Sequence, residues 1–260
     1  MDFQTLTCAI GGGIARLTLN RPDQMNAISP EVLEDLDRAC GLVEGDAGVR
    51  AVTLTAAGRA FCAGADLRAV RELSPDPVRW SAFMGLWRRV FDRIEALPVP
   101  VIAGVHGLAL AGGLELVLVA DLVVADAAAR LGDQHANFGL IAGGGGIPRL
   151  IRRIGAQKAL DILYTGRWLS GKEAASAGIV LTSVPSEQLD HEVEKLTSGL
   201  AKKSRTSFVY MKRVARASAD APLEDALAAE IGALLEYFST SPHPRRGLQA
   251  FLAKETPDFD

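Results

Sequence analysis

Apolar positions along the chain follow two different periods. Short apolar runs at residues 6–10 and 14–19, on either side of Gly11, Gly12 and Gly13, predict two strands joined as a hairpin. Ser29 and Pro30 then open a three-to-four pattern that runs to about Val43, a helix with serine as its cap and proline in its first turn. Residues 50–55 read as the next strand. Residues 77–97 carry Trp80, Phe83, Met84, Trp87, Val90, Phe91 and Ile94 near helical spacing, an amphipathic helix whose aromatics serve the core. Pro98 and Pro100 end it. Beyond residue 150 the pattern predicts helices at 156–163 and at 171–177, the latter capped by Ser170 and closed by Gly178. Helices then follow at about 187–201, 208–217, 223–238 and 244–253. Strands alternate with helices up to about Val184 and then vanish, which predicts a single-layer α/β core with a helical tail.

The middle of the chain, residues 101–150, departs from this regularity. Through Val124 it is almost wholly apolar, yet Glu115 stands inside the run. An ionised carboxylate buried without partners costs several kcal/mol, so something must justify it. The run is too interrupted for a membrane span: His106, Glu115 and Asp121 break its apolarity, and Gly104, Gly107, Gly112 and Gly113 break its helicity. A strand at 101–105, a helix at 112–119 and a strand at 122–125 fit better. Gly112 and Gly113 allow a sharp turn and leave the first N–H groups of that helix uncovered, with the positive end of its dipole behind them. Glu115, three residues on, shares that face. The spacing therefore sets an anion-binding donor beside a candidate acid/base, although a satisfied core carboxylate fits the same residues.

Two further stretches are rich in small residues. In residues 58–70, Ala60, Cys62, Ala63, Gly64 and Ala65 permit close approach of another molecule, and Asp66 can cap the helix that follows; a plain strand-to-helix turn reads the same way. Cys62 reads as a small buried residue, since no base stands beside it. Gly143 to Gly146 lack the flanking residues of a phosphate loop and suggest a tight passage under a ligand or a neighbouring backbone, with a new helix from Pro148. No zinc spacing follows His191, no metal site is expected, and no nucleophile elbow occurs.

Composition narrows the class. With 260 residues, 48% of them hydrophobic and 23% charged, the chain can bury a sizeable core. A net charge of −3 gives no reason to expect nucleic acid or an anionic membrane as partner. Lys202, Lys203, Arg205, Lys212, Arg213 and Arg216 form a basic patch that reads as a solvated face. Cys8, Cys40 and Cys62 show no paired spacing, and the N-terminus lacks the profile of a secretory signal, so a cytoplasmic location is expected.

Taken in order, NRPDQMNAIS, AFCAGADL, HGLALAGGLELVLVADLVVA, FGLIAGGGGIPRLIRRIG, TGRWLSGKEAASAGIV and AFLAKETPDF resemble motifs of the crotonase, or enoyl-CoA hydratase/isomerase, superfamily over nearly the whole chain. The resemblance implies an α/β fold, a crotonase-like spiral of ββα units over residues 1–195 that carries an acyl-CoA site. Residues 196–260 would form a helical region for trimer assembly, giving a homotrimer or a hexamer of two trimers. It implies an oxyanion hole made by the amides of Ala63 and Gly112. Gly64, Ala65, Asp66 and Leu67 would line coenzyme A, and Phe251 and Lys254 would reach its nucleotide end. Coenzyme A would come as part of the substrate, with no separate cofactor. The implied reaction is hydration of a 2-enoyl-CoA to a 3-hydroxyacyl-CoA. Isomerisation, decarboxylation, retro-aldol cleavage and thioester hydrolysis on the same fold are alternatives, as is a non-catalytic or RNA-binding homologue. Glu115 matches the first of two catalytic glutamates. The second falls on His135, a departure: His135 either donates the proton in its place, helped by Asp133 two residues earlier, or lines the pocket.

Overall fold

The computed structural model describes residues 2–259. In chain order the elements are β1 (Leu6–Gly11), β2 (Ile14–Leu19), α1 (Pro30–Gly45), β3 (Ala51–Ala56), α2 (Leu67–Leu73), α3 (Pro77–Ala96), β4 (Val101–Val105), β5 (Leu108–Leu110), α4 (Gly112–Leu118), β6 (Leu122–Asp126), β7 (Arg130–Gly132), α5 (Gly146–Ile154), α6 (Ala156–Thr165), β8 (Leu169–Ser170), α7 (Gly171–Ala177), β9 (Thr182–Val184), α8 (Leu189–Ala201), α9 (Arg205–Ser218), α10 (Leu223–Thr240) and α11 (His243–Ala253). The hairpin turns on Gly12 and Gly13, both at positive φ (59° and 76°), as a two-residue turn between twisted strands requires.

The strands form two sheets, not the single layer expected. The larger has the order β1-β2-β3-β4-β6-β9 and is parallel except at its β1–β2 edge; the smaller has the order β5-β7-β8. After β4 the chain turns at Gly107 (φ 58°) into the second sheet. Strands of two or three residues, such as β5, β7 and β8, are too short to show a period of two, which is why the hydrophobic pattern misses them.

Both faces of the larger sheet are buried. Val101, Ala103 and Val105 of β4 pack into the main core with the apolar faces of α1 and α3, while Ile102 joins Ala51, Val124, Leu189 and Val193 under α8. That is why β4 reads as an unbroken apolar run. Each Leu or Phe fully removed from water here contributes roughly 1.5–3 kcal/mol.

The tail differs. On α10 only Ala233 is buried, whereas Leu223, Leu227, Ile231, Leu234, Leu235 and Phe238 are exposed. Half of the basic patch is engaged inside the chain: Arg205 donates to the carbonyl of Val49, Lys212 pairs with Asp121 at 2.7 Å and Arg213 with Glu236 at 2.6 Å. Helix α9 begins at Arg205, three residues earlier than the pattern predicts, because Ser204 caps it by accepting from the Ser207 amide. Among the described residues no helix is long and apolar enough to cross a membrane.

Candidate active site

Glu115 is 2% exposed, one turn into α4. Its Oε1 accepts from the amides of Gly144 and Gly146, both at 2.9 Å. The four-glycine passage thus lies under a carboxylate. Side chains would not fit there: a Cβ on Gly146 would come within 3.1 Å of Glu115 Cγ and Oε1, and one on Gly144 would strike Oε2. Burial pushes the Glu115 carboxyl above its ordinary range, outweighing the Gly146 and Gly144 hydrogen bonds and the charge of His135, which favour ionisation. Oε1 is held while Oε2 has no hydrogen-bond partner among the described residues. One fixed oxygen and one open, basic oxygen is the arrangement a general base needs.

Arg149 braces the passage. It donates to the Gly144 carbonyl at 3.0 Å and pairs with Asp92 (2.7 Å) and Glu95 (2.9 Å) on α3. Helix α5 accordingly starts at Gly146, ahead of Pro148.

Two small-residue loops meet beside the glutamate. Gly64, at φ 107°, lies so close to the start of α4 that a Cβ on it would sit 3.0 Å from Leu110 O and 3.5 Å from Gly112 N. The Gly112 N–H has no acceptor among the described residues, as expected for the first turn of a helix. The expected partner, Ala63, is different: its N–H already donates to Met25 O at 3.0 Å. The open amide is two residues on. Ile28 N donates to Gly64 O and Asp66 N to Ile28 O, each at 2.8 Å, so the Ala65 amide, by strand alternation, points away from Ile28. It has no acceptor among the described residues. The turn that takes up Ala63 is itself fixed by Asn26, whose amide group bonds Arg21 N, Ala57 O and Ala60 O.

His135 begins a short 3-10 turn after β7. Asp133, 2% exposed, accepts from the His135 amide at 3.0 Å and from Nδ1 at 2.9 Å. Burial pulls the imidazole pKa down, but the hydrogen bond and charge of Asp133, with the charge of Glu115, leave it raised. His135 and Glu115 are therefore near enough for each to act on the other's charge.

The remaining candidates fall into place unevenly. Asp66 caps α2 through the Arg68 amide and pairs with Arg21 at 3.0 Å, while Leu67 is 75% exposed beside it. Phe251 and Lys254 lie at the exposed end of α11, and no hydrogen bond, ion pair or ring contact joins either to Glu115 or Gly112. Cys62 is fully buried and its thiol is pushed up to about 12 by burial, which suits packing and not nucleophilic attack. Two clefts, of about 500 and 340 Å³, open along α8 and the helical tail; neither is lined by a residue of this site.

Two features of the site were not legible in the sequence. Ala65 was expected along coenzyme A, but only the backbone pairing reveals that its amide is open. Trp87 reads as core and is core, yet a Cβ on Gly144 would meet its Nε1 as well as Glu115 Oε2. No signal in the helical spacing separates it from Phe83 or Phe91.

The architecture and sequence have close counterparts. The family model described as enoyl-CoA hydratase/isomerase matches residues 9–260. The short-chain-enoyl-CoA hydratase of Clostridium acetobutylicum is 32% identical over 98% of this chain and 97% of its own length. Among solved structures, an enoyl-CoA hydratase subunit I from Geobacillus kaustophilus superposes with a TM-score of 0.93 at 34% identity, covering 100% of this chain and 99% of that one. One from Mycobacterium smegmatis does so with a TM-score of 0.93 at 34% identity, covering 98% and 99%. With its fold, its glycine-held glutamate and these likenesses in agreement, the chain belongs to the enoyl-CoA hydratase/isomerase family of the crotonase superfamily.

Proposed function

We propose that the chain hydrates a 2-enoyl-CoA to a 3-hydroxyacyl-CoA. The observation that carries this reading is the open, basic Oε2 of Glu115 beside two open amides, Ala65 and Gly112. The thioester oxygen accepts from both amides, which stabilise the enolate as negative charge moves onto it. Glu115 removes a proton from water as the water oxygen bonds to the β carbon. His135, protonated and held by Asp133, returns a proton to the α carbon. The reverse sequence dehydrates the product.

Coenzyme A enters only as part of the substrate. Its path runs past Gly64, Ala65, Asp66 and Leu67. Phe251 and Lys254 reach its nucleotide end only if α11 of the same or a neighbouring copy comes to the site. Assembly as a homotrimer, or a hexamer of two trimers, is part of this reading and is supported by the exposed apolar face of α10. The three free cysteines agree with a cytoplasmic protein.

The test is incubation with crotonyl-CoA. Loss of the enoyl-thioester absorbance with gain of the mass of one water is expected. A change without that gain would indicate isomerisation, and no change would remove the reading.

A further inference from the structure

Trp87 is 3% exposed, and its Nε1 is the one buried side-chain nitrogen or oxygen among the described residues without a hydrogen-bond partner. Buried polar groups are nearly always bonded, so an orphaned donor marks a place where a small polar molecule is received. The surroundings show which one. One edge of the indole faces α4: a Cβ on Gly112 would lie 2.6 Å from Cζ2 and 2.8 Å from Cη2. The other edge faces Gly144, where a Cβ would collide with both Nε1 and Glu115 Oε2. Phe83 and Phe91, each with ring centroids 5.6 Å away, fix the ring. The indole thus spans the distance from an open amide to the open oxygen of the glutamate. At its far end an unsatisfied donor and an unsatisfied acceptor both border the point where a Gly144 Cβ would stand. A water on the side away from Gly144 would serve both, accepting from the N–H and donating to the carboxylate.

His135 is used otherwise in the hydration reading: Nδ1 is committed to Asp133, and the Nε2 proton is the one delivered to the α carbon. The water needs a second partner that fixes it without competing for its proton.

We propose that Trp87 is a catalytic residue: its Nε1–H holds the attacking water, and in reverse the leaving hydroxyl, against Glu115 Oε2. This rests on the hydration reading above. In the forward step the water oxygen bonds to the β carbon while the C=C pair moves to the α carbon and the thioester oxygen. The water proton passes to Glu115 Oε2, and the enolate then takes a proton at the α carbon. The indole donates throughout and transfers nothing. In reverse it stabilises the charge that gathers on the departing oxygen.

Trp87→Phe keeps the ring and removes the donor; Trp87→His restores a ring N–H. Wild-type protein is assayed first with crotonyl-CoA, so that failure of the hydration reading shows before any variant is made. In Trp87→Phe, kcat for hydration is expected to fall about tenfold, the size of one hydrogen bond to a charged transition state. KM should change little, and exchange of the α protons of butyryl-CoA in heavy water, which uses no attacking water, should persist. Trp87→His should recover part of kcat. A kcat equal to wild type, or equal losses of hydration and exchange, would overturn the proposal. A second measurement needs no variant of Trp87. The Trp87 indole N–H resonance, assigned by elimination with Trp80→Phe and Trp168→Phe, should move downfield with 3-hydroxybutyryl-CoA and not with butyryl-CoA. Identical shifts with both ligands would also overturn it.

Discussion

Asp133 grips His135 at two points, the backbone amide at 3.0 Å and Nδ1 at 2.9 Å, so that one buried carboxylate sets both the place and the charge of the ring. With Nδ1 donating to Asp133, Nε2 is the ring nitrogen left to exchange a proton. Because the His135 pKa is raised above its ordinary 6.5, the imidazolium persists to higher pH than in a free histidine. The alkaline limb of kcat/KM should therefore lie above the usual histidine range. Asp133→Asn should move that limb to lower pH while the acid limb, set by Glu115, moves far less. An unmoved alkaline limb would remove the dyad from the proton-donor role. In the same vein, His135→Ala and His135→Gln should lose α-proton exchange in heavy water, with partial return in His135→Glu.

Glu115→Gln should abolish hydration while preserving the fold, since an amide oxygen can still accept from Gly144 and Gly146. The variant also carries a stability signature. A carboxyl whose folded pKa is raised contributes stability that is fully present below its unfolded pKa and is lost as pH rises through the folded one. Wild type should lose stability relative to Glu115→Gln from about pH 4.5, the ordinary glutamate value, up to the raised one, and not recover above it. Thermal melts of the two proteins across that range measure the difference.

Replacing Ala65 by lactate, an ester in place of the amide, should slow turnover by about 100- to 1,000-fold, as loss of an oxyanion donor does elsewhere. The same replacement at Ala63 should leave the rate nearly intact and cost about 0.5–1.5 kcal/mol of stability, because its N–H serves Met25. Paired rate and denaturation measurements on the semisynthetic proteins decide which amide is catalytic.

Gly144→Ala should be more harmful than Gly146→Ala. The first drives a methyl into both Trp87 and Glu115, whereas the second brings one to 3.1 Å of the Glu115 side chain. Overpacking of this kind costs typically 1–3 kcal/mol, and chemical denaturation should rank the two variants in that order.

Leu235→Glu places a charge on the exposed face of α10, where Leu235 is 65% exposed. If the chain assembles as proposed, sedimentation should show the wild-type trimer or hexamer replaced by monomer in this variant, with the secondary structure unchanged. A wild-type protein that sediments as a monomer would remove that assembly.

The hydrophobic pattern revealed the long elements because each buries one continuous face, as α1 and α3 do. It also singled out Glu115, since a carboxylate in an apolar run needs partners. The identity of those partners was hidden: Gly144 and Gly146 act through backbone N–H groups, which carry no sequence mark beyond the absence of a side chain. For the same reason Ala63 and Ala65 look alike until the Ile28 bridge fixes which way each amide points. Trp87 was hidden differently, because its spacing is that of the core aromatics Phe83 and Phe91 on the same helix.

The Arg149 brace has a consequence for how the molecule opens. By tying the Gly144 carbonyl to Asp92 and Glu95, it fastens the passage under Glu115 to the helix that bears Trp87. These groups then belong to one cooperative unfolding unit and should become exchangeable with solvent together, at the cost of opening the core itself. Active-site groups are commonly carried on parts of a protein that breathe. Here the amides that hold Glu115 are expected to be among the last to exchange.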